Sequence, residues 1–245
     1  MKGTVIIDCF PERAERYRDQ YAIVAIDVIR ATTTATTAIS LGRRVFPAQT
    51  VDDAVQIAST LQRPLLAGEL GGNMPVGFDV NNSPAQIAQR NDLYRPIVLV
   101  SSSGTQLLLK AVGAEAVYIA CFRNVSAVVR HLSGRHRRIA VLGAGTRGQF
   151  RREDQMACAW IAEQLVASGY FPETEETSSY ITRWSGRSPD EARYGRSADY
   201  LRRSGQVQDL EFVLSHIDDL DTVPSLIDGE LIPVMGRIAA TQRAI

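Results

Sequence analysis

Ile23-Val-Ala-Ile-Asp-Val-Ile-Arg-Ala-Thr-Thr-Thr-Ala-Thr-Thr37 decides how this chain is read. Ile23 to Ile26 is a short apolar run rich in β-branched residues, the pattern of a strand buried on both faces. Asp27 and Arg30 then bring opposite charges to the end of that strand. Thr32 to Thr37 carry hydroxyls that suit the first turn of a helix, expected to run to about Leu41 and to stop at Gly42. A carboxylate, a guanidinium and a helix N-terminus thus fall within a few residues of each other. That set suits a divalent cation with a phosphate: the carboxylate holds metal, while arginine and backbone N–H groups hold the anion. The same residues also fit a plain strand-to-helix turn in which Asp27 caps the helix and pairs with Arg30. Both readings stay open on this stretch alone.

Outward from it, strands and helices alternate. Strands are expected at Val5–Cys9, Arg44–Ala48, Leu65–Ala67, Ile97–Val100, Ala116–Ala120, Arg138–Leu142 and Leu231–Val234. Helices are expected at Val51–Leu61, from Pro84 with Ser83 as its cap, to about Val112, at Val125–Leu132, from about Glu153 to Ser168, from near Pro189 and at Gln206–Leu214. Such alternation predicts an α/β fold, a mainly parallel sheet with helices on both faces. One domain over 1–245 is expected, with the polar 172–189 stretch as the place for any sub-division. Ligands of such sheets bind outside the carboxyl ends of the strands. Four loops follow strands there, at 27–34, 68–83, 101–105 and 143–154. They carry Asp27, Glu69, Asp79 and Asp154, which are expected to converge on one edge.

The bulk composition removes several alternatives. Lys+Arg and Asp+Glu number 27 each, so no basic excess points to nucleic acid. No apolar run approaches the roughly 20 residues that span a bilayer, and the start lacks the pattern of a signal peptide. Cys9, Cys121 and Cys158 are odd in number and widely spaced, so neither a disulfide framework nor a paired-cysteine metal site is indicated. Buried apolar cysteines and a reducing cytoplasm are expected. His131, His136 and His216 lie outside the four loops and read as surface residues, which disfavours zinc or a catalytic triad. Gly143-x-Gly145-x-x-Gly148 matches a dinucleotide fingerprint poorly, because the helix starts beyond the glycines and no acid follows a second strand at the required distance.

Clustered acids suit magnesium, which takes one or two protein carboxylates and keeps water and phosphate oxygens for the rest of its shell. Ser101 to Thr105 can cradle phosphate through hydroxyls and backbone N–H groups, or form an ordinary strand–helix turn. Taken together, Ile-Asp-Val-Ile-Arg-Ala-Thr-Thr-Thr (26–34), Gly-Glu-x-Gly-Gly (68–72), Gly-Phe-Asp-x-x-Asn-Ser-Pro (77–84), the Gly-Thr turn (101–105), Ala-Gly-x-x-Gly-x-Phe-x-x-Glu-Asp (144–154) and Asp-Leu-Glu-Phe (209–212) resemble the 2-phosphosulfolactate phosphatase family. The motifs come in the family's order and cover nearly the whole chain.

The resemblance implies a three-layer α/β/α sandwich, Mg2+ dependence and hydrolysis of 2-phosphosulfolactate to sulfolactate and phosphate, a step of coenzyme M synthesis. It implies Asp27, Glu69, Asp79 and Asp154 as metal ligands or water-orienting groups, with Asp27, Glu69 and Asp154 in catalysis. Candidate substrate contacts are Arg30, Thr32, Thr33, Asn82, Ser83, Ser102, Ser103, Gly104, Thr105 and Arg147. The expected partner is a small-molecule phosphate ester, with no nucleic acid and no membrane; the oligomeric state stays open, a homo-oligomer included.

Two positions depart from the family pattern. Arginine usually follows the Glu of Gly-Glu-Arg-Gly-Gly, and here it is Leu70; the turn usually ends Gly-Thr-Arg, and here it ends at Gln106. An arginine contact to such an anionic group is worth about 1.5–3 kcal/mol. Losing two would lower affinity for a triply anionic ester by roughly two to four decades, unless Arg147, Arg151 or Arg152 substitutes. A less anionic ester is therefore a second expectation. A lyase or transferase on the same edge, and a metabolite-binding protein on a degenerate phosphatase scaffold, are the rival readings.

Overall fold

The computed structural model describes residues 3–145 and 149–234. The strands are β1 (Thr4–Asp8), β2 (Ala22–Ile26), β3 (Val45–Ala48), β4 (Leu65–Gly68), β5 (Ile97–Val100), β6 (Ala116–Ala120), β7 (Arg138–Gly143), β8 (Phe171–Pro172), β9 (Pro224–Ile227) and β10 (Glu230–Pro233). The α-helices are α1 (Ala31–Ser40), α2 (Val51–Ser59), α3 (Pro84–Gln89), α4 (Gly104–Lys110), α5 (Val125–Leu132), α6 (Arg152–Ala167), α7 (Glu175–Trp184), α8 (Arg196–Arg203) and α9 (Val207–Ser215). The described strands form one mixed sheet in the order β4-β5-β3-β10-β9-β6-β2-β7-β1-β8, with helices on both faces, an α/β sandwich as expected.

β2 shows why its apolar run reads as it does. All five of its residues are fully buried. Ile23 and Ala25 face a core shared with α1 and α4, whereas Ala22, Val24 and Ile26 face a second core shared with α5 and α6. A strand covered on both sides has no place for a polar residue until its end, where Asp27 stands.

Two parallel sets make up the sheet. One is β4-β5-β3; the other is β6-β2-β7-β1-β8. The antiparallel hairpin β9-β10 joins them, through Leu231↔Val45 on one side and Tyr118↔Ser225 on the other. In a flat sheet, the five steps from β5 to β2 would separate them by about 24 Å. Yet the Ser101 hydroxyl, just past β5, stands 3.5 Å from the Asp27 carboxylate, just past β2. The sheet therefore folds over, and α1 and α4 lie between the sets, touching strands of both. This bend, invisible in the alternation of elements, is what brings the loops together.

The stretch from 172 to 203 differs most from expectation. Instead of polar loop with one helix near Pro189, it holds α7, a 3-10 turn at Pro189–Tyr194 and α8. α7 packs on β1 and α6, with Trp184 fully buried. Two histidines also depart from expectation. His131 and His136 are buried, and both ring Nε2 atoms meet the Tyr118 hydroxyl, at 3.3 and 2.9 Å. The three cysteines are buried and free. Among the described residues no helix is long and apolar enough to cross a membrane.

Candidate active site

Asp27 is the first side chain past β2, and the start of α1 turns back over it. Thr32 bonds both backbone groups of Asp27, accepting from its N–H at 3.0 Å and donating to its carbonyl at 2.8 Å. Thr33 donates to the Val28 carbonyl at 2.7 Å. Both hydroxyls are thus spent on the turn. Gly104, first residue of α4, packs against the carboxylate so closely that a Cβ there would lie 2.5 Å from Asp27 Oδ2. Asp154, in the first turn of α6, accepts from the Val28 N–H at 2.7 Å. Asp27 and Asp154 therefore flank the same turn.

Glu69 reaches the group from past β4. It accepts from the Ser102 N–H at 2.8 Å, the Ser102 hydroxyl at 3.1 Å and the Gly72 N–H at 2.6 Å. Ser101 accepts from the Ser103 and Gly104 N–H groups at 3.3 and 3.2 Å, and Thr105 donates back to the Ser101 carbonyl. The Ser101–Thr105 turn is thus held by its own hydroxyls beside Asp27.

A fourth acid, Glu153, was absent from the sequence expectation. It is fully buried, and neither carboxylate oxygen has a well-formed hydrogen bond. Its only sequence signal was adjacency to Asp154 on a helix start. Electrostatics bind the four acids into one group. Burial, then the charge of Glu69, pushes the Asp27 carboxyl up to about 7, against the pull of the Ala31 N–H and, more weakly, Arg30. Burial, then Asp27 and Glu153, holds Asp154 well above the carboxylate range. Burial likewise raises Glu153, with Ser197 moderating it.

Other expected residues lie elsewhere or are engaged. Asp79 does not join the group. Val80 runs beside β4 at Ala67, so the Asp79 carboxylate turns back to the Leu66 N–H at 2.9 Å and to Arg95 at 3.2 Å. Arg30 is buried against Asp209 at 2.5 Å and also donates to Gln206 and Asn81. Asp209 in turn accepts from the Ser83 hydroxyl and the Ala85 N–H, holding the start of α3. Asn82 is buried, and its side-chain oxygen has no hydrogen-bond partner. Leu70 is 44% exposed, and the Gln106 amide donates to the Gln49 carbonyl. Arg152 pairs with Glu191. Arg147 lies outside the described residues.

The described donors are carboxylates and hydroxyls, oxygen ligands of the kind a hard cation such as magnesium takes. Among the described residues no three His, Cys, Asp or Glu side chains form a cage by themselves. Magnesium needs only one or two carboxylates, with water and substrate oxygens completing its shell. Buried acids that raise one another's proton affinity are relieved by a cation.

Residues 9–229 match the 2-phosphosulpholactate phosphatase family. A probable 2-phosphosulfolactate phosphatase of Caldanaerobacter subterraneus is 32% identical over 213 residues, covering 84% of this chain and 88% of its own. The protein of the same name from Deinococcus radiodurans is 32% identical over 232 residues, with 93% and 95% covered. The Symbiobacterium thermophilum protein of that name is 31% identical, with 89% and 96% covered. With the match spanning the loops that carry Asp27, Glu69 and Asp154, this chain belongs to the 2-phosphosulfolactate phosphatase family of phosphoric monoester hydrolases.

Proposed function

We propose that this protein is a magnesium-dependent phosphatase that hydrolyses 2-phosphosulfolactate, or a related phosphate monoester of a small hydroxy acid, to the free hydroxy acid and inorganic phosphate. The observation that carries the reading is the meeting of Asp27, Glu69 and Asp154, acids from three separate loops, without a guanidinium in hydrogen-bond contact with Asp27 or Asp154 among the described residues. Asp27 and Asp154 would hold the ion, with Glu69 as a further carboxylate near Asp27. Bound there, magnesium would polarise the phosphoryl group and offset the charge that grows on its oxygens.

The chain's own residues supply the rest. Gly104 lets α4 approach Asp27 and leaves no Cβ where a phosphoryl group must come close. Arg30 acts from behind, keeping the Asp27 turn and the start of α3 together through Asp209. Leu70 and Gln106 put neutral side chains at the two positions where the family pattern has arginine, which favours the less anionic ester among the two expectations. Coenzyme M synthesis and a cytoplasmic setting belong to the same proposal; three buried free thiols fit reducing surroundings.

Phosphate release from a panel of esters, with magnesium and again after EDTA, tests it. Turnover that EDTA abolishes and magnesium restores is expected. No release from any ester would leave the metabolite-binding reading in its place, and preferred turnover of phosphosulfolactate would remove the less anionic alternative.

A further inference from the structure

α8 runs from the buried acid of α6 to the turn that carries Glu69. At its start, a Cβ on Gly195 would lie 3.0 Å from Glu153 Oε2, so the first turn of the helix is seated against the buried acid of α6. Five residues on, about 7 Å along the axis, Tyr200 reaches the opposite side. There a Cβ on Gly72 would lie 2.2 Å from the Tyr200 hydroxyl oxygen. Gly72 sits at φ +90°, and its N–H is one of the groups that hold Glu69. The missing side chain of Gly72 is therefore the space that the phenol occupies, at the turn that carries a site carboxylate.

The Tyr200 ring packs on the main core, but its hydroxyl makes no hydrogen bond among those of the described residues. The side chain is half-buried. A phenol hydroxyl in such a place keeps a water, or exchanges it for a ligand oxygen of equal hydrogen-bonding capacity. Asp27 and Asp154 lie deep, at 5% and 2% exposure, whereas Gly71 and Leu70 beside Gly72 are exposed. On the phosphatase reading, a phosphoryl group held at the deep acids would leave the organic part of the ester toward the exposed residues of the Glu69 turn.

We propose that Tyr200 contacts the substrate, its hydroxyl over Gly72 donating a hydrogen bond to an oxygen of the ester's organic part. This rests on the phosphatase reading above. It makes Tyr200 a specificity-determining residue supplied by α8 beside the turn that carries Glu69.

Tyr200→Phe keeps the ring and removes only the hydroxyl. With the best ester of the panel, KM is expected to rise about tenfold, with kcat, melting temperature and inhibition by inorganic phosphate unchanged. Gly72→Ala, which displaces the phenol, is expected to raise KM as well. An unchanged KM in Tyr200→Phe would overturn the inference. So would a parallel weakening of phosphate inhibition, which would place the hydroxyl on the phosphoryl group. A wild-type protein without turnover fails the phosphatase reading itself; turnover with an indifferent Tyr200→Phe fails only this inference.

Discussion

At the amino end of β5, Asp92 is met by three guanidinium groups: Arg43 at 2.6 Å, Arg90 at 2.5 Å and Arg95 at 3.5 Å. At the carboxyl end of β2, Asp27 has none in hydrogen-bond contact among the described residues, and Arg30 acts on it from a distance while bonded to Asp209. The consequences are opposite. The Arg90 and Arg43 hydrogen bonds hold the Asp92 carboxyl well below the usual range, while burial and neighbouring acids push Asp27 up to about 7. Where the chain supplies its own cation, the acid is part of the scaffold. Where no described residue does so, a buried acid costs the fold stability, and on the proposed function it would be relieved by a bound cation.

The sharpest way to break this contrast is Asp27→Asn. Activity is expected to fall by roughly a thousandfold, while the melting temperature of the metal-free protein rises, because an uncompensated buried charge is gone. A wild-type pH series adds a sign. The raised value means that the native state binds this proton more tightly than the unfolded chain. The contribution of Asp27 to metal-free stability is thus greatest on the acid side and is lost as pH climbs from about 4 through 7, at up to about 1.4 kcal/mol per pH unit. Melts between pH 5 and 8 check it, and Asp27→Asn should flatten the slope. Next in size is Asp209→Ala, which strands the buried Arg30 and is expected to cost about 3–5 kcal/mol in urea unfolding. The smallest effect belongs to Asp79→Asn. Its pair with Arg95 is 40% exposed on the Asp79 side, so less than about 1 kcal/mol is expected, with magnesium affinity by calorimetry unchanged. A loss of affinity there would return Asp79 to the site.

The same contrast explains what could be read from sequence. β5, β6 and α5 lie where their apolar runs place them, because each buries an unbroken face. Asp27 and Glu69 were visible as acids just beyond strand ends, and Asp154 as an acid at the start of a helix. Asp79 looked alike, but its carboxylate is engaged by the Leu66 N–H and Arg95, since the return of its loop beside β4 depends on the Ala67↔Val80 pairing, a long-range contact without a local signal. α7 was missed because only Thr177 and Trp184 of its residues are buried, too few to show a period. β8 and β9 are short and carry proline, which reads as loop. His131 and His136 were misjudged because their partner, Tyr118, comes from a strand that pattern alone does not pair with them.

The seam between the two parallel sets is made by β9 and β10, residues 224–233. The acids of the site, by contrast, have all been synthesised by residue 154. A growing chain therefore holds Asp27, Glu69, Glu153 and Asp154 of the candidate site long before the hairpin that joins the two sets leaves the ribosome. Catalytic competence would arrive late and all at once, with the last strands acting as a clasp; until then, both strand sets present unpaired borders that a nascent chain must shield from its neighbours.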